Sequence, residues 1–501
     1  MATETAYSEE FVGGSYDYSA KGESAQRSVN LFPEAIEAQG GKTQYCLRSV
    51  QALRTWKALA GSCRGLYFDN AVGRLWAVYG ADVYRISGPN ELAVRVGSVA
   101  IDTSRVAIAE NGLTITFADG QHLYSADLLA DDATVASTWQ QVVIGAFDGE
   151  AIEPANVVQL GRLYFCDGAK QGSSRSGTIF YTRKNAEFSP NDGSDFTDTD
   201  GVLNFFDASS MPDDMVALAA VGSRLYALRS RSYDVYALGD VEIVSRVESV
   251  SSEIGCASRC SVASIGETLF WLGSAHAGHN SVWAVTGASA PVRISTNAIE
   301  EQLRGLDLSA AEGYCFGENG HRFYALTIRP GKTFVFDVAT RMWHERSKRD
   351  WAMGVNYAWE PTLAVTAWDG VILFGCEGGI KELSGETDDD GLPVWRERTS
   401  PVYWKTMVPV VVRDFALDME VATIKDLSAR PVVMLSVSTD GGRTFYDLGW
   451  RSIGQTGRFR TEIEWQNLGE GRTFTARTTF TEPCDVAIFG ARLELETGSF
   501  R

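Results

Sequence analysis

Ser438, Asp440, Gly442, Thr444 and Phe445 stand in the stretch STDGGRTF, a Ser-x-Asp-x-Gly-x-Thr-aromatic spacing. A carboxylate flanked by hydroxyls and followed by Gly441 and Gly442 is the chemistry of a tight hairpin turn, with the aromatic ring packed beneath it. Sugar hydrolysis would ask for more: two carboxylates framing the scissile bond, or a Tyr-Glu nucleophile with arginines for a substrate carboxylate. No such pair stands in a recognisable spacing. The five histidines (122, 276, 279, 321 and 344) are dispersed, and His276-Ala-Gly-His279 has no cysteine or acid beside it, so it reads as a solvent loop rather than a metal site. Glu386, Asp388, Asp390, Gly391 and Glu397 nearly follow a calcium-loop spacing, yet Pro393 interrupts the exit and strands flank it where helices are needed. This stretch is expected to be a solvated acidic linker, and the loop Asp195–Gly201 lacks a first ligand. No Gly-x-Ser-x-Gly, P-loop or zinc-protease motif occurs, so neither a cofactor nor a metal is expected and the chain is read as a non-enzyme.

The elements that must carry these residues belong to a large folded protein. Its 501 residues are 45% hydrophobic and 22% charged, enough apolar material for extensive cores. The net charge of −19 opposes adhesion to phosphate backbones or anionic lipid. Eight scattered cysteines form no Cys-x-x-Cys pair and are expected to be buried or free thiols of a reducing compartment. Neither a signal peptide nor an eighteen-residue apolar run is present.

A repeat, loose in sequence but steady in chemistry, organises the middle of the chain. Each unit has a Gly- or Asn-marked turn, a strand with an aromatic, a second short strand ending in an aromatic, and a polar loop. Seven units begin near Gly73, Asn111, Leu160, Gly222, Gly266, Asn319 and Thr362, and their equivalent positions Tyr84, Tyr124, Tyr181, Tyr236, Trp283, Phe336 and Lys381 step by 40 to 57 residues, close to the ~40 to 50 of a four-stranded blade. The expected fold is all-β: a propeller of six or seven blades, seven favoured, over residues 61–385. Residues 1–60 read as an extended segment that either completes a blade or crosses to the C-terminal domain. Polar insertions around 168–177 and 184–201 read as surface loops. The best helix candidate starts at Ser295, with Ile299, Leu303 and Leu306 at near-helical spacing. After a linker at 386–400, the long alternating strands of 401–501, such as RFRTEIEW, read as a β-sandwich or barrel-like domain.

The segment SAQRSVNLFPEA, with Gln26, Arg27, Asn30, Leu31, Phe32, Pro33 and Glu34, resembles the N-terminal signature of the packaged-DNA stabilisation proteins, the tail accessory or nozzle proteins of short-tailed bacteriophages. The stretch LRSVQALRTW departs from the family's usual step into the first strand, whereas GSCRGLYFDNAVGRLWAVYG is similar to its first blade. At the far end, Asp440-Gly441-Gly442, the Trp-Arg-Ser step and the closing Ile-x-Gly490-Ala resemble its C-terminal region. The resemblance implies a homo-hexameric ring in the virion tail, assembled in the host bacterial cytoplasm below the portal and its adaptor ring. Such a ring carries fibres, spikes or a needle, and passes double-stranded DNA through its channel for retention and ejection. An acidic lumen would let DNA slide past without sequence-specific binding. The rival reading starts from STDGGRTF, which is similar to the Asp box of sialidases and other propeller glycosidases, and makes the protein such an enzyme or a glycan-binding receptor protein. That box is present once and beyond the repeat, and a turn is the expected role.

Overall fold

The computed structural model describes residues 3–21, 23–38, 43–147, 149–168, 176–188, 194–208, 213–239, 244–247, 252–274, 280–287, 289–404, 408–424, 431–454 and 463–497. Four-stranded antiparallel sheets follow one another along the chain. The first comprises Cys63–Asp69, Arg74–Tyr79, Asp82–Ile86 and Val94–Ser98, and the next four span 107–142, 157–207, 215–246 and 263–293. The sixth runs through Glu312–Glu318, His321–Ile328, Lys332–Asp337 and Trp343–Asp350. The seventh takes Leu363–Ala367, Val371–Cys376 and Gly379–Ser384.

Packing explains why the second strand of each sheet is largely buried instead of alternating. A strand covered on both faces by neighbouring sheets has no solvent side. Leu75, Trp76, Ala77, Val78 and Tyr79 are accordingly buried in the first sheet, as are Phe323 to Leu326 in the sixth. Hydrophobic clusters sit between consecutive sheets: Trp76 and Val78 meet Ile115 and Phe117, while Tyr314 and Phe316 meet Phe374. One more cluster joins Leu75, Ala77 and Ile86 of the first sheet to Leu373 and Ile380 of the seventh. The sheets therefore close on themselves as a β-propeller.

The seventh sheet obtains its fourth strand from Ala52–Ala58, which pairs antiparallel with Gly379–Ser384. The propeller thus reaches N-terminal to the boundary drawn at residue 61. The N-terminal segment also crosses to the other domain. Ala25–Val29 lies parallel to the sixth sheet at Val29 and Glu345, and antiparallel to Arg396–Thr399. That sheet continues through Thr473–Phe480, Val432–Ser438 and Tyr446–Ser452. A facing sheet of Leu31–Ala35, Tyr45–Ser49, Cys484–Thr497, Val410–Ile424 and Ile463–Gly471 completes a β-sandwich. Phe415, Trp465, Leu435, Phe474 and Phe480 are among the side chains that fill its core.

Two local expectations are corrected. The stretch 386–400 is no solvated linker: Arg396–Thr399 is a buried strand inside the shared sheet. Its acidic residues cap the strand that closes the propeller. Asp389 accepts the Leu53 N–H at 2.7 Å, and Asp390 accepts the N–H and hydroxyl of Thr55. The helix runs only from Asn297 to Leu303, with Thr296 as N-cap and Ile299 and Leu303 buried. Leu306 lies beyond its end, 50% exposed.

Candidate functional site

The signature residues build a clasp between propeller and sandwich. Alternation along an extended chain sends neighbouring side chains to opposite faces. Leu31 enters the sandwich core while Phe32 enters the propeller core, its ring against His321, Phe323 and His344. Pro33, which has no N–H to donate, stands on a strand that is paired, among the described residues, only with Tyr45–Ser49. Asn30 adopts the left-handed conformation with φ of 53°, which asparagine tolerates better than most residues. Its carboxamide donates to the Ser347 and Trp395 carbonyls at 3.0 and 2.7 Å and accepts the Ser347 N–H at 3.0 Å.

Arg27 makes a bidentate pair with Glu345, at 3.0 and 2.7 Å, and approaches Glu397 at 3.5 Å. Burial alone would raise the Glu345 pKa, but Arg27 and Lys332 outweigh it and hold the carboxyl down at about 2. The opposite partner responds in kind, with the Arg27 guanidinium raised chiefly by Glu345. Gln26 offers its side-chain oxygen to Arg398 at 3.2 Å. Arg398 itself is fully buried and donates to the carbonyls of Phe11, Gly13, Gly14 and Arg27 and to the Ser28 hydroxyl. Desolvation lowers its pKa to about 10. The residue was not singled out in the sequence, since nothing local distinguishes an arginine that binds carbonyls from one in solvent.

The STDGGRTF turn docks on this clasp. Ser438 donates to Asp440 at 2.6 Å and accepts the Gly442 N–H at 2.9 Å. Asp440 also accepts the Arg443 N–H and the Thr444 N–H and hydroxyl. These donors, the Ser438 hydroxyl foremost, hold its carboxyl well below the usual carboxylate range. Gly441 and Gly442 have φ of 77° and 89°. A Cβ on Gly442 would stand 2.6 Å from the Ala25 Cβ of the clasp strand. Phe445 is half-buried, with the Arg477 guanidinium 4.1 Å from its ring centre. Gly442→Ala is therefore expected to destabilise by about 2 to 3 kcal/mol in urea unfolding, from backbone strain plus the clash. Gly449→Ala, at φ of 116° with nothing within 4 Å of its Cβ, carries the strain alone and is expected to cost less. Gly490 lies apart from the clasp, buried opposite Asp418 beside a register shift in the sandwich.

A second constellation occupies the propeller axis. Arg105 precedes the inner strand of the second sheet, and its guanidinium donates to the carbonyls of Cys260, Gly313 and Thr362 at 2.7, 3.2 and 2.8 Å. It thereby ties the second sheet to the fifth, sixth and seventh. Arg259 donates to the Ala155 carbonyl of the third sheet and to the Arg105 carbonyl. The available signal was a shared Ser-Arg step before a small-residue inner strand, SRVAIA and SRCSVAS. A cavity of about 460 Å³ opens beside the pair.

The former calcium candidates are engaged otherwise. Asp195 pairs with Arg183, Asp198 accepts backbone N–H groups of its own turn, and Asp388 accepts the Gly391 N–H. Among the described residues, no group of three or more His, Cys, Asp or Glu is placed to hold a metal ion. His276 and His279 lie outside the described residues. No helix among those residues is long and apolar enough to cross a membrane.

Solved structures to which the chain is similar include two at low identity. The extracellular domain of the putative hybrid two component system BT4673 from B. thetaiotaomicron matches at 9% identity and a TM-score of 0.40, over 68% of this chain and 41% of that one. A chain of the mitotic checkpoint complex matches at 8% identity and a TM-score of 0.39, over 70% of this chain and 97% of that one. No protein of curated function matches the sequence. The model of the phage-stabilisation family, described as bacteriophage P22 Gp10, β-propeller, matches residues 11–369. That span holds the clasp residues Gln26 to Pro33, both axial arginines and the first six sheets, and on it the chain belongs to this phage packaged-DNA stabilisation family of β-propeller proteins.

Proposed function

We propose that the protein is a structural component of the virion tail: a homo-hexameric nozzle ring that continues the DNA channel below the portal and adaptor. The ring retains packaged DNA, opens for ejection, and performs no catalysis. The family supports the virion role, and the seven sheets are read as seven blades of each subunit. One observation carries the ring, the closure of the propeller axis by Arg105 and Arg259. A duplex whose major groove alone is about 12 Å wide has no passage through a single subunit blocked this way. A conduit for DNA must then form between copies, and the net charge of −19 on each copy suits a wall that phosphates slide along. Adaptor subunits above and fibres, spikes or a needle outside are the partners that go with this reading. Electron cryomicroscopy of the intact virion tests the reading. Six copies encircling axial DNA are expected; copies projecting from the tail surface as glycan-binding or glycan-cleaving spikes would sink it.

A further inference from the structure

Arg105 and Arg259 bring two positive charges to the centre of the propeller, and neither forms an ion pair among the described residues. A guanidinium carries five N–H donors. Arg105 directs three of them to Cys260, Gly313 and Thr362, and Arg259 directs two to Ala155 and Arg105, which leaves donors on both groups for another acceptor. The 460 Å³ cavity they border is walled mostly by small side chains, among them Ala107, Ala155, Ala219 and Ala263. Its one carboxylate, Glu110, stands five residues beyond Arg105 along an extended strand, about 16 Å away at ~3.3 Å per residue. Glu110 moreover accepts the Gly112 N–H. Arg259 also borders a second cavity of about 640 Å³, whose lining includes the carboxylates of Glu153 and Asp167. Asp167 there accepts the N–H groups of Ala155 and Asn156 and of the Asn156 side chain, and it feels the Arg259 charge without forming an ion pair to it among the described residues.

We propose that a small oxyanion of the phosphate or sulfate class binds at the floor of the first cavity, bridged by Arg105 and Arg259. Paired guanidinium forks suit the tetrahedral oxygens of such an ion, and the recess strengthens charge-assisted hydrogen bonds relative to open water. The bound ion would neutralise two like charges at the point where the inner strands of five sheets meet. It would therefore act as a removable pin that stabilises the closed propeller in proportion to its concentration.

The test uses the full chain exchanged into chloride buffer, titrated with inorganic phosphate at constant ionic strength. Calorimetry is expected to show one saturable site per chain, and the thermal midpoint is expected to rise with phosphate and not with equivalent sodium chloride. Arg259→Gln and Arg105→Gln are each expected to weaken the affinity by about tenfold or more, the value of a charge-assisted hydrogen bond. Equal effects of phosphate and chloride, non-saturating heats, or unchanged affinity in a folded variant would overturn the proposal. Should both variants fail to fold, a wild-type structure determined with tungstate decides it. An anomalous peak within hydrogen-bond reach of both guanidinium groups is expected, and none at saturating tungstate overturns the site.

Discussion

Arg398→Ala is expected to lower the stability of the protein by about 4 kcal/mol and to release the N-terminal segment to protease before the propeller unfolds. The side chain is fully buried, and its donors satisfy carbonyls at Phe11, Gly13, Gly14 and Arg27. Truncation removes one residue but strands several acceptors, and each buried acceptor left without a donor costs ~1 to 3 kcal/mol. Arg398→Lys should recover only part of the loss, because an ammonium has three donors against five and no planar fork. Urea unfolding followed by tryptophan fluorescence measures the first effect. Limited proteolysis with mass mapping of the first cut measures the second. A variant that unfolds like wild type and is first cut elsewhere would mean that the clasp holds without this guanidinium.

The second large effect is a dependence on pH. Arg27 and Lys332 outweigh burial and depress the folded pKa of Glu345 to about 2 from the ordinary 4.5. A depressed carboxyl contributes its stability above the unfolded pKa and loses it as pH falls through the folded one. The window is thus roughly pH 4.5 down to 2, and the shift corresponds to about 3 kcal/mol. Wild-type stability should fall across that window, and Glu345→Gln should flatten the slope there by about that amount. The variant will also be less stable at neutral pH, since it leaves Arg27 without its bidentate partner. The slope, not the offset, reports the carboxyl. Parallel wild-type and variant curves between pH 4.5 and 2 would show that Glu345 titrates normally.

The propeller was legible in the sequence because each unit repeats the same turn chemistry and the same aromatic strand, a signal confined to short windows. The sandwich was legible from alternation, as in the strand that contains Ile463 and Trp465. What escaped notice was set by distant pairing. Thr55 lies opposite Lys381, and nothing near Thr55 encodes that register. Asp389 and Asp390 read as solvated acids because their acceptors serve N–H groups more than 300 residues away, at Leu53 and Thr55. The signature Gln26 to Pro33 was visible as a motif, while its role in joining two cores emerged only with Leu31 and Phe32 pointing oppositely. Arg105, Arg259 and Arg398 were hidden for a further reason. Their partners are chiefly backbone carbonyls, which every residue possesses, so no complementary acidic position marks them.

The closing strand Ala52–Ala58 also sets a timetable. Its partner Gly379–Ser384 leaves the ribosome more than 300 residues later, so the first-made strand of the pair must wait for the second before the circle can shut. Until then the first and seventh sheets have no shared core, and the strands meant for them present unpaired edges. Contacts this far apart in sequence make for slow folding. The chain therefore matures as a whole, and a truncated product that stops short of residue 379 carries an open ring with an adhesive rim.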